Sequence, residues 1–317
     1  MVSWDLRRLR VLRELEERKT LGAVATALGY TPSAISQQLS VLEKEVGVRL
    51  LEKAGRGVQL TDAGRLLARH AGTLLSAAEA AEADLASLTG EVRGTVRAGG
   101  LQSATRHVLI PALARLRSER PGLRLELTEL ELEQALPDLR LGALDLVISD
   151  EYAGHPRPRP PGLRYEVLHE EPLKLVLPPE HPCTEREGPV AIATLRNDVW
   201  VAAAAGTGHH ALVVGTCRSL GGYDPDLRHR SNDADVQFEL VRSTGAVALM
   251  PVLTLPVADP TLVVRDVAEA VVRRRLLVLT RDGRPAPALR IVLEAVKDQA
   301  RRLAGEVTPH SAATTDC

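Results

Sequence analysis

Gly206-Thr207-Gly208, followed at once by His209 and His210, is where the residue types of this chain come nearest to a reactive site. Glycines between a strand and a helix suit an anion held by free backbone N–H groups at the helix start. The stretch lacks the further glycine of a dinucleotide fingerprint, so no cofactor is expected. Adjacent histidines diverge on a helix and make a poor metal pair, and no glutamate completes a zinc-binding helix motif. Cys183, Cys217 and Cys317 have neither disulfide nor metal spacing and no neighbour that marks a nucleophile. Small buried hydrophobes are the commoner outcome for such cysteines. Catalysis and a metal centre are therefore not expected.

Binding is better served. In an α/β domain, ligands lie beyond the carboxyl ends of strands, where loops and helix starts converge. That rule selects Gln102, Ser103, Thr105 and Arg106 after one strand, Ser149 and Asp150 at the end of another, and Ala205 and Thr207 in a second unit. Ser103, Thr105 and Thr207 can donate hydroxyl hydrogen bonds to a carboxylate, and Arg106 can add charge. Asp150 and Glu151 would instead take an ammonium. A small carboxylate or an amino acid is the ligand class these groups suit, and aromatics at only 2% disfavour a large flat one.

A second polar set belongs to a different kind of surface. In Thr31 to Val46, Ile35, Leu39, Leu42 and Val46 recur at helical spacing, with Thr31 as N-cap and Pro32 at the first helical position. Thr31, Pro32, Ser33, Ser36, Gln37 and Ser40 fall off that apolar face, and a Ser and Gln set of this size suits base edges in a major groove. With the amphipathic segment LGAVATALGY before it, this reads as the second helix of a helix-turn-helix. Beyond it, Val48, Leu50 and Leu51 predict a small strand or buried turn, separated by the Gly55-Arg56-Gly57 turn from Val58 to Leu60. The resulting wing carries Lys53 and Arg56, suited to phosphate.

Other elements must position these sets. Leu6, Leu9, Leu12 and Leu15 predict a first helix packed behind the pair, its arginines mostly solvated. Thr61-Asp62 caps a long, alanine-rich helix to about Leu88, of a length that favours pairing with a second chain. Gly90 to Gly94 reads as a hinge. Strand and helix patterns then alternate, pointing to α/β units with parallel sheets. Helices are expected at 132–140 and Ala286 to Leu303, and strands at LDLVISDE, LKLVLP, DVWVAAAAG, GAVALMP and VVRRRLLVLTR. HPRPRPPG reads as a stiff connector.

The chain resembles the LysR-type transcriptional regulators. The resemblance rests on Ala25, Leu28, Ala34-Ile35-Ser36, Leu39, Leu42-Glu43, Val46-Gly47, Leu50-Leu51, Leu60-Thr61 and Ala63-Gly64, in order and spacing. Departures fall at Pro32, Ser33 and Gln37, on the expected reading surface, and at Leu51 and Lys53. The resemblance implies an α/β fold class with an N-terminal all-α winged helix-turn-helix and a two-lobed effector domain resembling periplasmic binding proteins. It divides the chain into a DNA-binding domain (1–61), a linker and dimerisation helix (62–89), an effector domain (90–304) and a flexible tail (305–317). Lobe I would take about 90–165 and 268–304, and lobe II about 166–267, with crossovers near Leu163 to His169 and Ala268 to Arg275. Double-stranded promoter DNA, a small-molecule effector between the lobes, a homodimer assembling to a tetramer, and RNA polymerase are the implied partners.

Whole-chain properties agree with that class. A length of 317 residues accommodates two or three domains. The net charge of -1 weighs against a nonspecific nucleic-acid binder, but residues 31 to 70 hold six basic against four acidic residues. Few cysteines and no apolar run of spanning length point to the cytoplasm rather than a membrane or secretion. An α/β enzyme or a solute-binding module with an accessory helix-turn-helix is the alternative, distinguished by turnover or by lack of sequence-selective DNA binding.

Overall fold

The computed structural model describes residues 4–54, 57–87, 92–152, 154, 157, 159–257 and 259–306. It opens with α1 (Leu6–Arg18), α2 (Leu21–Leu28) and α3 (Pro32–Val46). Each helix starts on a side-chain cap, with Asp5, Thr20 and Thr31 accepting from the N–H groups of Arg7, Ala23 and Ala34. Gly29 and Gly47 end α2 and α3 at φ of 70° and 75°, a left-handed conformation that a Cβ would strain. The apolar stripes meet in one core of Leu9, Leu12, Leu15, Val24, Ile35, Leu39, Leu42 and Leu50.

Two details of α1 depart from the expected stripe. Leu6 is 43% exposed, whereas Val11, Arg13 and Glu14 are buried. The cause is α4 (Asp62–Ser87), which packs along α1 and covers a flank that an isolated helix-turn-helix would leave wet. The wing consists of β1 (Leu51–Ala54) and β2 (Gly57–Leu60), antiparallel, with Leu51 opposite Leu60 and Ala54 opposite Gly57. Val48, expected in a small strand or buried turn, is 48% exposed just past the Gly47 turn, and Leu50 is buried one residue before pairing begins. A Cβ on Gly64 would stand 2.3 Å from the carbonyl oxygen of Leu50, so only glycine lets α4 approach the wing this closely.

The rest is built on β3 (Gly94–Gly100), β4 (Leu123–Glu129), β5 (Leu146–Tyr152), β6 (Leu163–Leu177), β7 (Val199–Ala202), β8 (Asp226–Arg230), β9 (Val247–Pro251), β10 (Val263–Arg265) and β11 (Arg273–Arg281). Their order is β4-β3-β5-β11-β6-β9-β7-β8, with β10 also on β6. β3 runs parallel to β4 and β5, and β7 parallel to β8 and β9, as two α/β units require. The seam between them is antiparallel, β5 with β11, β11 with β6, and β6 with β9. Sequence periodicity predicted parallel sheets alone. The seam arises because the chain crosses to the second lobe on β6 and returns on β11 in the opposite sense.

β6 also joins two segments expected apart, the crossover near Leu163 to His169 and the strand LKLVLP, in 15 continuous residues. Around the sheet lie α5 (Gln102–Ala104), a π turn (Thr105–Leu109), α6 (Ile110–Glu119) and α7 (Leu132–Leu141) in lobe I. Lobe II carries α8 (Gly208–Thr216), a second π turn (Cys217–Gly221) and α9 (Ala234–Thr244), and α10 (Pro287–Glu306) closes the chain on lobe I. Each lobe has its own core, one around Ile148, Val278 and Val296, the other around Leu175, Trp200 and Leu249. No helix among the described residues is long and apolar enough to cross a membrane.

Candidate functional site

Two surfaces gather the polar groups singled out in the sequence. On α3, burial of Ile35, Leu39 and Leu42 turns Thr31, Pro32, Ser33, Ser36, Gln37 and Ser40 to solvent. Thr31 Oγ1 accepts from the Ala34 N–H at 3.2 Å and lies 3.0 Å from Ser33 Oγ, so the start of the helix is capped. Lys53 is exposed on β1, and Arg56 lies outside the described residues. One group that sequence reading left aside fixes the wing to this helix. Glu43 Oε1 accepts from the backbone N–H groups of both Leu50 and Leu51, at 2.8 and 3.0 Å. Arg8 of α1 reaches α3 as well, donating to Gln38 Oε1 and pairing with Glu45.

The second surface is a cleft, open to solvent, between the lobes. Of the expected ligand residues, Gln102, Ser103, Asp150 and Thr207 line it. The others do not. Thr105 donates to the Gly100 carbonyl at 3.1 Å, Arg106 and Ala205 are exposed, and Ser149 is buried on the other side of β5. That last placement follows from the two-residue period of a strand, which sends Asp150 and Tyr152 to one face and Ser149 and Glu151 to the other.

Several lining groups escaped the sequence reading because they come from distant segments. Glu131 precedes α7, Arg157 sits in the proline-rich connector, Gln237 lies on α9 and Arg274 on β11. Their arrangement is a chain of charges. Tyr152 donates to Asp150 at 2.8 Å, Arg157 donates to Asp150 at 3.2 Å and to Glu133 at 2.7 Å, and Arg274 Nε donates to Glu171 at 2.9 Å. Glu171 also accepts from the Leu253 N–H, so this fully buried carboxylate is held by a guanidinium and a backbone donor. Burial, and then Asp150, push the Tyr152 phenol well above its usual pKa and keep it a donor. Burial, and then the carboxylates of Asp150 and Glu133, push Glu131 up to about 7.

Direct links tie the lobes across the cleft. Gln102 Oε1, at the start of α5, accepts from the Ala234 N–H at the start of α9 at 3.1 Å. Arg157 lies over α8, so close that a Cβ on Gly208 would be 2.6 Å from its Nη2. His209 is buried, Nδ1 accepting from the Ala203 N–H and Nε2 donating to the Leu249 carbonyl. Burial lowers its pKa, so it stays neutral as a framework residue.

Comparison with known proteins bears on both surfaces. Residues 6–65 match the family described as bacterial regulatory helix-turn-helix protein, lysR family, and residues 89–301 match the LysR substrate binding domain. A probable hydrogen peroxide-inducible genes activator of Mycobacterium xenopi is 36% identical over 174 residues, 55% of this chain and 89% of that one. An uncharacterised HTH-type transcriptional regulator of Mycobacterium bovis is 30% identical over 86% of this chain and 89% of its own length. Among solved structures, a full-length OxyR variant from Pseudomonas aeruginosa superimposes with a TM-score of 0.67 at 20% identity, covering 94% of this chain and 95% of that one. CbnR in complex with its target DNA gives 0.55 at 20% identity, covering 93% and 100%. At such identities the structural likeness speaks for the fold.

Proposed function

Because the chain belongs to the LysR family, and is a sequence-specific DNA-binding regulator with an effector-binding C-terminal domain, we propose that its effector binds in the interlobe cleft and thereby sets how paired reading heads meet DNA. The observation that carries this reading is the cleft lining itself, with Gln102, Ser103 and Asp150 from lobe I facing Thr207 and Gln237 from lobe II. A ligand touching both lobes stabilises one lobe arrangement over another, which is the differential contact that regulation requires.

On the DNA side, Thr31, Pro32, Ser33, Ser36, Gln37 and Ser40 are the proposed base- and backbone-contacting face of α3, with Lys53 and Arg56 of the wing on phosphate. We divide the chain functionally as 1–61 for DNA binding, 62–89 for pairing and 90–304 for effector binding. Exposed Leu74 and Leu85 on α4, eleven residues or about three turns apart, support an apolar contact with a second chain. Assembly of such dimers into a tetramer, and contact with RNA polymerase, complete the reading.

The name of the M. xenopi relative raises peroxide as a signal. The described cysteines do not favour it here. Burial pushes the Cys217 thiol up to about 12, and the half-buried Cys183 stands against Thr194 away from the cleft. Footprinting the upstream intergenic DNA with and without a panel of small metabolites tests the proposal. Protection of an inverted repeat that changes with one metabolite is expected. Equal binding to unrelated competitor DNA would overturn it.

A further inference from the structure

The groups that line the cleft carry a charge preference, and an inference about it rests on the reading of that cleft as the effector site. Its carboxyl groups are Glu131 and Asp150, with Glu133 at the mouth, and the cation among them is Arg157, paired with Asp150 and Glu133. Arg274 lines the cleft as well, and the buried carboxylate of Glu171 offsets its charge. The lining is therefore acidic on the lobe I side, with one arginine laid across it.

Arg157 is poorly placed for a permanent partner. It belongs to no helix or strand and extends from the connector between the lobes. Its guanidinium presses on the first turn of α8, the positive end of a helix, where a cation is disfavoured. Its Nε is buried without a hydrogen-bond partner among the described residues. Asp150 and Glu133 hold it there against these costs, by hydrogen bonds at 3.2 and 2.7 Å.

Two further lining atoms are buried and unpartnered. Gln237, 3% exposed, donates through Nε2 to the Ser231 carbonyl at 2.6 Å, which leaves Oε1 as an acceptor with nothing to accept. Ser103, 4% exposed, has no partner for Oγ. A buried polar atom without a partner costs stability, and such atoms facing a cleft point to a ligand that satisfies them. An acceptor amide and two carboxylates ask for a donor-rich, positively charged group. A plain carboxylate would meet like charge at Asp150 and would leave Gln237 Oε1 unmet.

We propose that the cleft takes a small ligand bearing an ammonium or guanidinium group, which Asp150 and Glu131 receive in exchange for the Arg157 side chain while Gln237 Oε1 and Ser103 Oγ take up its remaining donors. Arg157 is then a tethered internal competitor. The effector must displace it, and displacement breaks the Arg157 bonds to Asp150 of β5 and Glu133 of α7.

The test is isothermal titration calorimetry and thermal denaturation of the full chain with agmatine and putrescine, against succinate and glutarate as size-matched anions. The amines bind and stabilise the wild type, and the anions do not. Arg157→Gln tightens amine binding by roughly tenfold or more, the usual size of one charge-assisted hydrogen bond removed from the competitor. Glu131→Gln and Asp150→Asn weaken it, and if the more buried Asp150→Asn does not fold, Glu131→Gln with Arg157→Gln carries the test. Succinate binding that is lost in Arg157→Gln would make Arg157 an anion anchor, overturning the ligand class while leaving the cleft as effector site. Amine binding indifferent to all three substitutions would remove the ligand from the cleft and overturn both readings. No binding of either amine to wild type or Arg157→Gln would overturn the charge preference.

Discussion

Gln37 is exposed on α3, six residues or nearly two turns beyond the Thr31 cap, and its amide can pair with the edge of an adenine. Gln37→Ala is expected to lose about 1–3 kcal/mol of discrimination between cognate and altered sites, measured by competition binding. An equal loss on unrelated DNA would show that Gln37 acts other than by reading a base. Glu131 makes a prediction in pH. Its neighbours are Asp150 from β5, Glu133 from α7, Glu129 from β4 and Arg157 from the connector, and burial is the main cause of its rise from 4.5 to about 7. A carboxyl that binds its proton more tightly folded than unfolded makes stability fall as pH rises from about 4.5 to about 7, and level off above. Urea denaturation across that window should show the fall in wild type and a flatter profile in Glu131→Gln, which leaves the backbone cap of α7 in place. A profile unchanged by the substitution would remove Glu131 as its source.

At the scale of elements, the reading helix and the wing behave as one body because Glu43 receives both Leu50 and Leu51 N–H groups. Glu43→Ala leaves two backbone donors without that partner, at a cost of about 1–3 kcal/mol. Thermal denaturation should show the head destabilised and DNA affinity reduced, with binding in the cleft unchanged. Gly64→Ala tests the neighbouring contact, since its Cβ would collide with the Leu50 carbonyl oxygen. Separation of α4 from the wing is the expected result, read as loss of DNA binding by a chain that remains folded in its lobes. Both residues lie in the motif by which the chain resembles its family. Their spacing was legible in the sequence, but their partners were not, because a carboxylate seven residues before its donor looks like any surface glutamate.

At the scale of the whole molecule, α4 presents Leu74 at 41% and Leu85 at 66% exposure, apolar area that pairing with a second chain would bury. Leu74→Asp with Leu85→Asp should shift the protein toward monomer in size-exclusion chromatography with light scattering and weaken binding to a two-half-site DNA far more than to a single half-site. An unchanged mass would exclude this face as the pairing surface. Across the lobes, the sequence alone determined the helix-turn-helix, its Thr31 cap and the alternation of strand and helix, since these follow from local periodicity and backbone sterics. It also selected Gln102, Ser103, Asp150 and Thr207, each beside the carboxyl end of a strand. Tertiary structure decided what lies opposite them. Glu131, Arg157, Gln237 and Arg274 come from four separate segments, and which of them face the cleft depends on strand register and on a chain that crosses between lobes and returns. The same packing wrapped α4 over Arg13 and made the seam antiparallel, because burial and strand direction are set by which elements meet and no local pattern encodes that meeting.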